Sequence, residues 1–87
     1  MAVNMNTMTE KFSVFDLRAE LGIDQHELAK EAGVKQSGIS RIENNVPVGL
    51  HFAKRVFFAI NRLRKARNMP ELRFDEIAWT LTRQEEK

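Results

Sequence analysis

The chain has 87 residues, with 14 Lys and Arg against 12 Asp and Glu, 43% hydrophobic residues and no cysteine. That length admits one small domain with a thin stability margin, and the missing thiols exclude disulfides and thiolate metal sites. The net charge is only +2, but it is spread unevenly along the chain.

Residues 1–11, MAVNMNTMTEK, are polar and aperiodic. They lack a basic start and an apolar core segment, so they are expected to form a flexible N-terminal arm and not a secretion signal. No run approaches the roughly 20 apolar residues of a membrane span, and a cytoplasmic location is expected. The first helix is predicted to begin at Ser13, an N-cap with Asp16 in a capping-box-like position, and to end at Gly22. Val14, Leu17, Arg18 and Leu21 fall at helical spacing, with Val14, Leu17 and Leu21 expected in the core.

The second helix has the firmest limits. Asp24 can cap it, Glu27 sits three residues on, Ile23 can pack against Leu28, and Gly33 ends it. Val34 then plugs the turn, and a third helix is predicted from Gln36 to Asn44, with Asn45 and Pro47 breaking the pattern. Lys35 is an unusual N-cap, since lysine cannot accept the bond that serine or threonine accepts. Leu28, Ala29, Ala32, Gly33, Val34, Ile39 and Ile42 put small and aliphatic residues where two short helices must cross closely, the pattern of a helix-turn-helix. Such a pair presents its second helix to the DNA major groove, leaving Gln36, Ser37, Ser40 and Arg41 to reach base edges and phosphates.

This stretch resembles the Cro/repressor-type, or XRE-like, helix-turn-helix family. The resemblance is carried by Leu17-Arg18, Asp24-Gln25, Leu28-Ala29, Gly33-Val34, Gln36-Ser37-Gly38-Ile39 and Arg41-Ile42-Glu43-Asn44, and covers residues 14–63 with sharp motifs up to Asn44. It implies an all-α, lambda-repressor-like domain. It also implies that Gln25 contacts backbone phosphate and braces Gln36, that Gln36 reads a base, and that Glu43 pairs with Arg18 of the first helix.

A fourth and longest helix is predicted from Gly49 or Leu50 to Arg67, with Ala53, Val56, Phe57, Ile60 and Leu63 as its apolar stripe. After Asn68 and Pro70, residues Phe74, Ile77, Ala78 and Leu81 recur at spacings of three, four and seven, which predicts a fifth helix. Leu72-Arg73-Phe74 alternates, so a short strand at 72–74 with Asp75 as a cap is an alternative. The domain plan is therefore an arm over 1–11, a helix-turn-helix domain over 12–67, and a C-terminal segment over 68–87 with a dimerisation helix and an acidic tail. Residues 50–73 carry seven cations against Glu71 alone, whereas 75–87 reverse the sign, so the tail is expected to face away from DNA.

Gln25 and Gln36 lead the candidate contacts, because a glutamine amide matches N6 and N7 of adenine. Ser37, Ser40 and Arg41 join Gln36 as base contacts. Lys35, Asn44 and Asn45, with Gln25, are placed on phosphates. Gly38 is read as admitting a close approach of the backbone to the groove, or else as a weak first turn. Phe52, Phe58, Phe74 and Trp79 exceed what one small protomer is expected to bury, which points to a twofold interface; the competing reading is that the last segment folds back over its own core. Arg62, Arg64, Lys65 and Arg67 either touch DNA flanks or form a solvated face at a helix C-terminus.

Enzymatic readings lack their residues. His26-Glu27 resembles the start of a zinc-protease helix, but Lys30 stands where the second ligand is required, and His51 has no partner. No phosphate-cradling loop or nucleophile elbow occurs. The sequence thus predicts a non-enzymatic regulator without cofactor or metal that binds double-stranded DNA as a homodimer on an inverted repeat, an autoregulatory repressor of phage type with no small-molecule ligand. A restriction-modification controller, an antitoxin and a protein-interaction adaptor that binds no DNA are the alternatives.

Overall fold

The computed structural model describes residues 10–82; the residues expected to form most of the arm (1–9) and the acidic tail (83–87) lie outside it. Four α-helices occur among the described residues: α1 (Val14–Leu21), α2 (Gln25–Ala32), α3 (Gln36–Glu43) and α4 (Leu50–Ala66). Their ends follow local chemistry. Asp16 N donates to Ser13 Oγ at 3.0 Å, Asp24 and Glu27 form a reciprocal capping box, and α1 and α2 stop at Gly22 and Gly33, both at φ 71°. In that left-handed region glycine alone carries no Cβ penalty.

The helices close on one core. Val14 and Leu17 of α1, Leu28 and Ala29 of α2, Ile39 and Ile42 of α3, and Ala53, Val56, Ala59 and Ile60 of α4 are buried together with Val48 and Ile77. Full burial of large aliphatic side chains contributes about 1.5–3 kcal/mol each, so Leu28, Ile39 and Ile60 are principal anchors of the orientation of α3. Arg64 is also buried, its Nε donating to Pro70 O at 2.8 Å and its Nη1 to Glu20 Oε1 at 2.7 Å.

The C-terminal third departs from expectation. In place of a fifth helix, Phe74–Glu76 forms one 3₁₀ turn and the chain then runs extended, bridging in parallel to Phe12 at Ile77 and to Val48 at Leu81. Two of the residues at helical spacing, Ile77 and Leu81, also fit a period of two with Trp79, alternating against Ala78, Thr80 and Thr82, whereas Phe74 and Ala78 fit only the helical spacing. Pairing to Phe12 and Val48 satisfies the backbone there, and the extended form lets Trp79 stack on Phe74 at 5.1 Å while its Nε1 donates to Phe74 O at 3.0 Å. Nor does 72–74 form a strand. Both main-chain groups of Leu72 are taken by the Asn61 side chain, at 2.8 and 2.9 Å, which leaves nothing for a ladder.

Candidate nucleic-acid interface

The turn between α2 and α3 is built by Gly33, followed by Val34, whose N donates back to Ala29 O at 3.0 Å. Burial of Ile39 and Ile42 fixes which side of α3 faces inward, so Gln36, Ser37, Arg41 and Asn44 are exposed and Ser40 is half-buried. Lys35, the N-cap, makes no side-chain cap bond. The start of α3, the positive end of its dipole, therefore has no side-chain cap, although Gly38 N donates to Lys35 O at 2.9 Å, and the Lys35 side chain beside it is exposed.

A four-residue chain of polar contacts ties this edge to the scaffold. Arg18 grips Glu43 with two bonds, Nε to Oε2 at 2.7 Å and Nη2 to Oε1 at 3.0 Å, while its Nη1 donates to Ile23 O at 3.0 Å. Gln25 Nε2 donates to Glu43 Oε1 at 3.0 Å, and Gln36 Nε2 donates to Gln25 Oε1 at 3.3 Å. The polarity is dictated from one end: an ionised Glu43 only accepts, so Gln25 must turn its amide nitrogen inward, and its oxygen is left for Gln36. Gln36 keeps its own oxygen and one amide hydrogen outward, the pair that an adenine edge requires.

The charges at the inner end hold each other in place. Burial pushes the Glu43 carboxyl up, but the bonds from Arg18 and Gln25 and the Arg18 charge outweigh it and leave the group below the usual carboxylate range. The Glu43 hydrogen bond in turn holds the Arg18 guanidinium above its ordinary range, despite the opposing effect of burial. Phe15 adds an aromatic face 5.2 Å from the Arg18 guanidinium carbon.

The remaining residues singled out in the sequence are distributed as follows. Asn44 donates to Ser40 O at 2.9 Å and Ser40 Oγ at 3.3 Å, so its amide nitrogen is spent on the end of α3. Asn45 is exposed in a left-handed conformation at φ 62°. Gly38 faces inward: it is buried, and a Cβ there would lie 2.1 Å from Phe52 Cζ, so its close approach is to Phe52 of α4 and not to an external backbone. Phe52, Phe74 and Trp79 are half-buried against the protomer's own core, whereas Phe58 is exposed.

Three of the four C-terminal cations of α4 are engaged within the fold. Arg62 bonds to Glu31 Oε2 and O at 3.0 and 2.8 Å, Arg64 is buried as described, and Arg67 donates to Leu21 O. The sequence reading missed Arg55, whose Nη1 donates to Gly33 O at 3.4 Å; it lines a groove with Lys35, Ser37 and Phe52 beside the start of α3. Its offset of three from Phe52 on one helix was the available signal.

A helix-turn-helix whose second helix is anchored by two buried isoleucines and edged outward by amide, hydroxyl and guanidinium groups is the DNA-binding module of transcription regulators. Residues 14–55 match the family model for the helix-turn-helix, and that segment belongs to the Cro/repressor-type, XRE-like family. No curated protein and no solved structure matches the chain. No described helix is long and apolar enough to cross a membrane.

Proposed function

We propose that the protein is a sequence-specific DNA-binding regulator that acts as a homodimer on an inverted repeat and represses its own promoter. The observation that carries the reading is the outward edge of α3, where Gln36, Ser37 and Arg41 stand exposed while Ile39 and Ile42 are locked in the core. In this reading α3 enters the major groove; Gln36, Ser37, Ser40 and Arg41 meet base edges, and Gln25, Lys35 and Asn45 meet phosphates, while Asn44, whose amide is spent on Ser40, joins them only by giving up those bonds. Gln25 serves both sides, since its amide is held by Glu43 and in turn holds Gln36. Two copies on half-sites with centres about 34–36 Å apart would occupy one face of the duplex and block polymerase there.

The test is binding to a duplex taken from upstream of the protein's own gene, against a scrambled duplex, at two salt concentrations. The reading predicts preference for the native duplex and affinity that falls steeply with salt. Binding to neither duplex would favour the protein-interaction adaptor.

A further inference from the structure

The segment from Ile77 to Thr82 hydrogen-bonds along one edge only. Phe12 donates to Glu76 O at 2.9 Å and accepts from Ala78 N at 2.8 Å; Val48 donates to Thr80 O at 2.9 Å and accepts from Thr82 N at 2.9 Å. All four partners are even-numbered. In an extended chain the N–H and C=O of one residue point to the same edge and those of the next residue to the opposite one. The odd residues therefore aim their main-chain groups at the other edge. There the C=O of Ile77 and both groups of Trp79 and Leu81 have no partner among the described residues, while Ile77 N–H turns back to Phe74 O at 3.3 Å.

We propose that this edge is a self-association surface on which residues 77–81 of a second copy pair antiparallel about a twofold axis at Trp79. The inference rests on the dimeric reading above and names its interface. A second copy fits better than an unrelated strand because the edge is complementary to itself. Trp79 presents a donor and an acceptor side by side, so two copies exchange both bonds across the axis, and Leu81 N–H of each copy meets the partner's Ile77 C=O. Four bonds then form from groups that have no other partner among the described residues.

Other features favour the same occupant. Edges that natural proteins keep apart carry charges, prolines or bulges, and Ile-Ala-Trp-Thr-Leu-Thr contains neither charge nor proline. The side chains of Ile77 and Trp79 are already engaged with the protomer's own core, so pairing needs no repacking. Exposed Leu81, and exposed Val46 and Leu50 on either side of its bridge partner Val48, supply apolar surface around the edge.

The register makes the proposal sharp. With the axis at Trp79, exposed Ala78 of one copy faces exposed Thr80 of the other as a non-hydrogen-bonded pair, with Cα atoms about 4.5 Å apart, inside the range a disulfide spans. Like positions are diagonal, at about 7–8 Å, beyond that range. The chain has no cysteine to interfere. A mixture of the full-length Ala78→Cys and Thr80→Cys variants in a mild glutathione redox buffer should give a cross-linked heterodimer, several-fold above the yield from either variant alone. No cross-link in the mixture, or equal yields in all three samples, overturns the proposal. Sedimentation of the unmodified protein separates the two ways of failing: a dimer without the cross-link keeps the dimeric reading and moves its interface elsewhere, whereas a monomer at working concentration removes both.

Discussion

Gly38 and Phe52 share one space: the ring of Phe52 on α4 lies where residue 38 of α3 would carry its side chain, 2.1 Å from the ideal Cβ position to ring Cζ. At this point α3 meets α4 through the Phe52 ring. The contact sets two effects against each other at one position. Alanine favours a helix interior by about 1 kcal/mol over glycine, whereas overpacking costs about 1–3 kcal/mol. Gly38→Ala should therefore lower stability by a net of about 1 kcal/mol, and Phe52→Leu, which shortens the blocking group, should reduce that loss. Urea unfolding of the double-mutant cycle measures the coupling; a Gly38→Ala protein more stable than the parent would show that the ring moves aside freely.

Glu43→Gln keeps the shape of the side chain and removes the charge that holds Arg18. The guanidinium is then left half-buried against a neutral amide, and the polarity of the Gln25–Gln36 relay is no longer dictated. A loss of about 2–3 kcal/mol is expected, less than for a fully enclosed pair because Arg18 keeps some access to water. Thermal unfolding reads it, and a change below about 0.5 kcal/mol, the level of an exposed surface pair, would contradict it.

The same pair gives stability a pH dependence of known sign. The folded-state carboxyl of Glu43 titrates below its unfolded value, so the contribution is fully present above the unfolded value of about 4.3 and is lost as pH falls through the lower folded value. Arg18, held above its ordinary range, stays charged throughout and adds no step in the same window. Acid unfolding of the parent should steepen below about pH 4.3, and that part of the slope should vanish in Glu43→Gln. An unchanged acid limb would mean that Glu43 is not held low in the folded state.

Asn61 fastens the C-terminal segment to α4 through both main-chain groups of Leu72. Asn61→Ala leaves a half-buried donor and acceptor without partners, at a cost of about 1–3 kcal/mol. Loosening should be local, so amide exchange should quicken over residues 70–80 before it does in α2 and α3. Uniform quickening would place Asn61 in the global core instead.

Lys35→Ala removes a cation from the uncapped start of α3. Binding should weaken alike on native and scrambled duplexes, and the slope of log affinity against log salt should fall by about one. An unchanged slope would take Lys35 off the phosphates.

The helix-turn-helix was legible in the sequence because its signals are local and agree with one another. Ser13, Asp24, Glu27, Gly22 and Gly33 each act within a few residues of their own position, and the limits of α1 and α2 follow from them. What was hidden is non-local. Ile77 and Leu81 fit a helical spacing with Phe74 and Ala78 and an alternating one with Trp79, and only the distant partners Phe12 and Val48 choose between them. Gly38 owes its place to Phe52, fourteen positions away. The basic end of α4 resembled a free surface, yet Arg62, Arg64 and Arg67 reach Glu31, Glu20 and Leu21 on the first two helices. The surplus of aromatics was likewise a judgement about volume, and Phe74 and Trp79 find room by stacking on each other beside Phe57.

The most direct measurement is selection of duplexes from a random pool by the parent protein and by Gln36→Ala in parallel. The account predicts that the parent enriches paired half-sites with centres about one helical turn apart, and that Gln36→Ala loses preference at one base pair in each half-site at a cost of about 1–3 kcal/mol. A parent that enriches nothing, or variants at Gln36, Ser37 and Arg41 that all enrich the parent's motif unchanged, would contradict the claim that the outward edge of α3 reads DNA.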